Sequence, residues 1–271
     1  MTGVTSSASP ATKGDTDMVG NLLLRGMIVG VIAGLLAFPL ARIFGEPQVD
    51  WAIALEEQAA ATEQAASNQP AAEEEPEIVS RSTQAGIGLL TGLVVYGAAV
   101  GGLFSLVFAY AYGRVGRLGP RGTAGLLALG GFIAVVLVPF LKYPATPPAV
   151  GNPETIGART ELFFVMIVVS LIAAVACVSL AHRLWARHGS WNASIIAGLA
   201  FIVVIAIAQY ALPTVNEVPE GFPATLLWYF RTASLGLHAV LWTVIGLGFG
   251  ALAERSIAGY RPAIQARPAT R

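Results

Sequence analysis

Between Glu161 and His182 the chain reads LFFVMIVVSLIAAVACVSLA, twenty consecutive residues without a charge. A helix needs about 20 apolar residues to cross the hydrocarbon of a bilayer. A core helix of a water-soluble domain would carry a polar stripe, and this run has none. With no water to satisfy backbone N–H and C=O groups, helix is the stable conformation for such a segment. Alternation of the β-barrel kind is absent.

Five more stretches share the pattern: Asn21–Phe44, Gln84–Tyr112, Gly122–Leu141, Trp191–Leu212 and Thr232–Ala253. The expectation is an all-α, polytopic membrane helix bundle with about six transmembrane helices over residues 21–254. Residues 1–20 read as a disordered tail, 58–83 as a mobile loop and 255–271 as a basic tail. Composition agrees. Of 271 residues, 55% are hydrophobic and 12% charged, against about 25% charged in soluble domains. The net charge of zero gives nucleic-acid binding no electrostatic support. Three His and one Cys do not make a zinc-finger or disulfide framework. Cys177, inside an apolar run, reads as a packed thiol.

Charge sets the orientation. Two short loops are basic, with Arg114, Arg117 and Arg121 in one and Arg183 and Arg187, flanked by His182 and His188, in the other. The C-terminal tail adds Arg255, Arg261, Arg267 and Arg271. Most acids lie in the remaining loops. The positive-inside rule places the basic loops and both termini in the cytoplasm. Glycines recur every four residues at Gly26, Gly30 and Gly34, and again at Gly97/Gly101 and Gly246/Gly250. Such faces let helix backbones approach closely, which points to a bundle and carries no chemistry by itself. Pro39 and Pro139 are expected to kink their helices.

The acid-rich side carries three unusual segments. In the first, Pro47 suits the first turn of a short amphipathic helix lying at the interface. Glu46, Asp50 and Glu57 fall near one face of it. They could attract a divalent cation, or be solvated acids favoured by the helix dipole. The second, Leu141–Thr160, holds four prolines between Lys142 and Arg159. It reads either as a rigid lid or as a loop whose Lys142 snorkels and whose Tyr143 anchors at the headgroups. Glu161, beside Arg159, suits a helix start. In the third, Leu212–Arg231, Glu217 could pair with Arg231, or Arg231 could meet lipid phosphate. His238 follows two turns deeper on the Arg231 face. An ionisable group in a membrane helix is a candidate functional residue, and imidazole suits Co²⁺. A hydrogen-bonded structural His is the other reading.

No phosphate-binding loop, CxxC, HExxH or Ser/His/Asp arrangement is present. The chain therefore does not read as an enzyme, and a lipid-acting enzyme built on Arg231 and the Lys142 loop lacks a nucleophile–base pair. A metal-transport subunit and a non-transporting scaffold both fit the residues.

The segments FGEPQVDWAIALEE (Phe44–Glu57), LKYPATPPAVGNPETIGART (Leu141–Thr160) and LPTVNEVPEGFPATLLWYFRTASLG (Leu212–Gly236) resemble the CbtA family of bacterial cobalt transporter subunits. The resemblance extends from about Met18 to Ala253. It implies a multi-pass protein of the bacterial cell membrane that takes up Co²⁺ for cobalamin synthesis. Cobalt would be cargo, with no permanently bound cofactor. It also implies a small His-bearing membrane partner, CbtB; a homo-oligomer is a further possible partner arrangement. On that reading Glu46, Asp50, Glu57, Glu217 and His238 would handle the metal. Lys142, Tyr143, Arg159, Glu161 and Arg231 would serve structure or gating.

Overall fold

The computed structural model of the chain describes residues 13–67, 78–116 and 118–265. All regular structure among them is helical. Helix α1 (Lys13–Leu40) continues through a π-helical segment (Ala41–Gly45) into α2 (Glu46–Ser67). The single turn α3 (Arg81–Thr83) leads through a second π segment (Gln84–Gly88) into α4 (Leu89–Ala111). Helices α5 (Pro120–Gly131) and α6 (Val138–Lys142) flank a third π segment, Phe132–Leu137. A 3₁₀ turn (Pro153–Thr155) opens α7 (Ile156–Ala211), and α8 (Ala224–Gln265) follows.

Among the described residues, five helical runs are long and apolar enough to cross a membrane. One of them, Pro153–Ala211, has 59 residues and would reach about 88 Å if straight, far beyond a hydrocarbon layer of about 30 Å. It is not straight. Met166, Ala173 and Ile205 share one buried cluster, although 39 residues separate the first from the last. The run folds back at Gly189, whose φ of 70° and ψ of 165° are non-helical. A left-handed φ costs an L-residue roughly 1–2 kcal/mol and glycine little. The two arms, 156–188 and 190–211, carry two of the six apolar stretches.

Contacts sort the loops onto two faces. At one, Arg25 Nη1 donates to the carbonyl of Leu252 at 3.0 Å, and Arg121 pairs with Glu254 at 2.6 Å. At the other, Lys142 Nζ donates to the carbonyl of Gln209 at 2.6 Å and Tyr143 Oη to that of Pro213 at 2.9 Å. The start of α1 and the end of α8 therefore share a face, as an even number of crossings requires.

Helices α1 and α4 touch backbone to backbone. A Cβ on Gly26 would overlap the carbonyl of Gly101, and one on Gly30 that of Gly97. Removing both side chains gives close dispersion contact where a bilayer offers no hydrophobic drive. Two buried cores result. The larger joins α1, α4, α5 and α8 through Val29, Phe104, Phe108, Ala124, Ile245 and Phe249. The smaller joins α6 to both arms of α7. Ser170 Oγ stitches α7 to the π segment by donating to the carbonyl of Ala134. Pro139 cannot supply the N–H that the carbonyl of Val135 expects, and the turns ahead of it widen to π geometry.

Several boundaries differ from those expected. The segment starting at Pro47 is not a separate interfacial helix, because the π turns carry α1 into it without a break. Residues 58–67, expected as loop, are its continuation in an Ala-rich, strongly helix-forming sequence. Helix also covers 13–20 and extends through Gln265, inside the expected tails. Arg117, Arg267 and Arg271 lie outside the described residues, as do residues 1–12 and 68–77.

Candidate functional site

The acid-rich face holds two separate clusters. The first is built on α2. Arg81 reaches back to Glu46, which is buried, and to Asp50 at 2.9 Å. A guanidinium presents a fork that matches two carboxylates at once. The two acids are thus held by a protein cation, and they brace the start of the α3–α4 run against α2. Glu57 is exposed, about 10 Å further along the helix, and does not join them. Arg81 was not among the residues expected here. Its signal was its place as a lone cation closing an acid-rich loop.

The second cluster surrounds a cavity of about 820 Å³ between α4, the third π segment, the first arm of α7 and the start of α8. Tyr143, Arg159, Glu217, Arg231 and His238 all line it. Glu46, Asp50, Glu57, Lys142 and Glu161 do not. Glu161 lies in the second turn of α7 rather than at its start, and is exposed.

Glu217 is the best-held acid. Thr155 Oγ1 donates to it at 2.5 Å, the backbone N–H of Asn152 at 2.9 Å, and Arg159 Nε lies 3.3 Å away. The Arg159 contact is ionic without hydrogen-bond alignment, and Nε is buried with no hydrogen-bond partner. The Thr155 bond first, then the Asn152 bond and the Arg159 charge, hold the carboxyl below its ordinary 4.5 against the opposing effect of desolvation. Glu217 therefore pairs with Arg159 rather than with Arg231. Gly151, with φ of 120°, makes room for this: a Cβ there would sit 2.6 Å from both terminal nitrogens of Arg159.

Arg231 Nε donates to the carbonyl of Ala145 at 3.3 Å and ties α8 to the proline-rich loop. Burial pushes the Tyr143 phenol up, so it stays protonated as a donor to Pro213. Lys142 does not reach for headgroups. It caps the carbonyl of Gln209, and Gln209 Nε2 in turn donates to the carbonyl of Val138 at 3.0 Å. The loop 143–152 is thus fastened at several points to the segment after α7.

His238 sits two turns below Arg231 on the same cavity wall. Its Nδ1 lies 2.9 Å from the carbonyl oxygen of Ser234. A carbonyl only accepts, so Nδ1 carries a hydrogen, and in the neutral ring Nε2 is then the nitrogen with the lone pair. The Tyr96 ring meets the imidazole edge-on, with centroids 6.1 Å apart. Tyr96, Thr155 and Asn152 were missed in the sequence, because nothing in their spacing links them to residues sixty or more positions away. Among the described residues no group of three His, Cys, Asp or Glu side chains converges on one point.

A family model described as a probable cobalt transporter subunit (CbtA) matches residues 19–254. No curated protein matches the chain. No solved structure matches it either.

Proposed function

The chain belongs to the CbtA family of probable cobalt transporter subunits, and on that premise we propose that it is the membrane subunit of a bacterial Co²⁺ uptake system serving cobalamin synthesis. The reading places the Arg-rich face and both termini in the cytoplasm, with Glu217 and the proline-rich loop towards the outer face. The observation that carries it is His238, whose Nδ1 is bonded to Ser234 while Nε2 stays free, in the same cavity as Glu217. A backbone carbonyl on one imidazole nitrogen fixes the tautomer and orients the other as a metal ligand. Imidazole and carboxylate are donors that Co²⁺ accepts.

Two donors do not complete a coordination sphere. Water or a small His-bearing subunit of the CbtB kind supplies the rest on this reading. Uptake of radiolabelled Co²⁺ in cells lacking the gene, and in cells complemented with the full chain and its partner, tests it. Restored uptake supports transport, and equal uptake with and without the gene overturns it.

The incomplete ligand set favours a second reading, an accessory scaffold whose partner alone handles the metal. A chain with Glu217→Gln and His238→Ala together separates the two. Unchanged metal accumulation at normal expression selects the scaffold.

A further inference from the structure

A cation held at His238 and Glu217 does not account for all the charge in the large cavity. The charged side chains lining it are Arg159, Arg231 and Glu217, one net positive charge. Arg159 is matched by Glu217. Arg231 is matched by no acid among the described residues, and beyond its Nε bond to Ala145 its donors have no protein partner there. Arg159 Nε is buried without a hydrogen bond. An uncompensated guanidinium beside apolar walls is costly unless an anion meets it.

The shape of the cavity is equally specific. Its walls below the two arginines are Leu103, Val135, Phe163, Phe164, Ile167 and Leu171. Helix α4 and the first arm of α7 barely pack on each other, so the space between them is a cleft. Its rim residues Tyr96 and Leu103 on α4, and Phe164 and Leu171 on α7, are all exposed on the membrane-spanning surface. The cleft therefore opens sideways into the bilayer. From Arg159 to Leu171 the wall runs about 18 Å down the helix.

We propose that this lateral cleft binds a phospholipid with an anionic headgroup, its phosphate held by Arg231 and Arg159 and one acyl chain laid along Leu103, Phe164 and Leu171. Charge complementarity and the opening to the bilayer favour a lipid over a free anion or a partner helix. Guanidinium–phosphate bonds are charge-assisted and bidentate, and the apolar wall takes a chain that free phosphate lacks. The site goes beyond cobalt transport, and its test does not depend on metal movement.

Native mass spectrometry of the full chain, purified in detergent and offered phosphatidylglycerol or phosphatidylcholine, measures it. The expected result is one retained phosphatidylglycerol, held at least about tenfold more tightly than phosphatidylcholine, with R231Q removing the preference. Leu103→Trp, which fills the apolar wall and leaves both arginines in place, weakens the same adduct. Inorganic phosphate at millimolar concentration does not displace it. Equal retention of the two lipids, an unchanged preference in R231Q, displacement by inorganic phosphate, or no adduct at all would each overturn the proposal.

Discussion

His238 and Ser234 are joined by a 2.9 Å hydrogen bond from Nδ1 to the backbone carbonyl one turn earlier. The acceptor is main chain, so no ordinary substitution of Ser234 removes it, and the imidazole is oriented by the helix itself. Nε2 is left without a protein partner among the described residues.

His238→Ala is expected to lower Co²⁺ uptake by about tenfold or more, in the range found when the support of a metal ligand is lost. Initial rates with radiolabelled Co²⁺, corrected for expression, measure the effect. Wild-type rates in the variant would leave His238 with a packing role only.

Glu217 predicts a pH dependence. Its folded pKa is depressed, so the carboxylate stabilises the attachment of 152–159 to 217 above its ordinary pKa. That stabilisation is lost as pH falls through the lower, folded value. Thr155→Val removes the largest cause of the depression. Proteolytic opening of the loop 143–160 should then begin at higher pH than in the wild type. Identical onset in the two proteins contradicts the assignment.

Gly30 and Gly97 predict a steric limit. The atoms opposing a new Cβ are backbone, which has no rotamer to change. Gly30→Leu should destabilise by at least the 1–3 kcal/mol typical of overpacking, seen as a lower melting temperature in detergent. Gly92→Leu, at a position with open space around it, serves as the control and should melt near wild type.

The reversal at Gly189 predicts topology. In a Cys177→Ser background, Glu154→Cys and Arg187→Cys should react with an impermeant maleimide from opposite sides of the membrane. Glu154→Cys should label in intact cells, and Arg187→Cys only after permeabilisation. Labelling of both from one side would contradict the hairpin.

Much of the frame is legible in the residues because a bilayer demands it. Twenty uncharged residues can only be a span, and the glycine spacing at 26, 30 and 34 follows from 3.6 residues per turn. The pairing of Arg231 and His238 along one wall is legible for the same reason. What could not be read is the choice among partners far apart in sequence. Glu217 was expected to reach Arg231, fourteen residues on, whereas the fold brings Arg159, fifty-eight residues before it, to its side. Glu46 and Asp50 looked free because their cation, Arg81, lies thirty-one or more residues on, across a loop. The run from α1 into α2 was hidden by Pro47, which suits a helix start but also tolerates a wide π turn before it.

The π segment Phe132–Leu137 joins α5, which belongs to one buried core, to α6, which belongs to the other. Next to Pro139 it lacks one bond of the regular ladder, and prolines and π turns are where helices bend. The two cores can then behave as jaws on a flexure, with neither losing its own packing as the angle changes. The cavity lies between the jaws, and its volume would follow that angle. A spin-label pair at Tyr110 and Val178, both exposed, reads the opening directly, and a distance that Co²⁺ leaves unaltered would mark the joint as fixed.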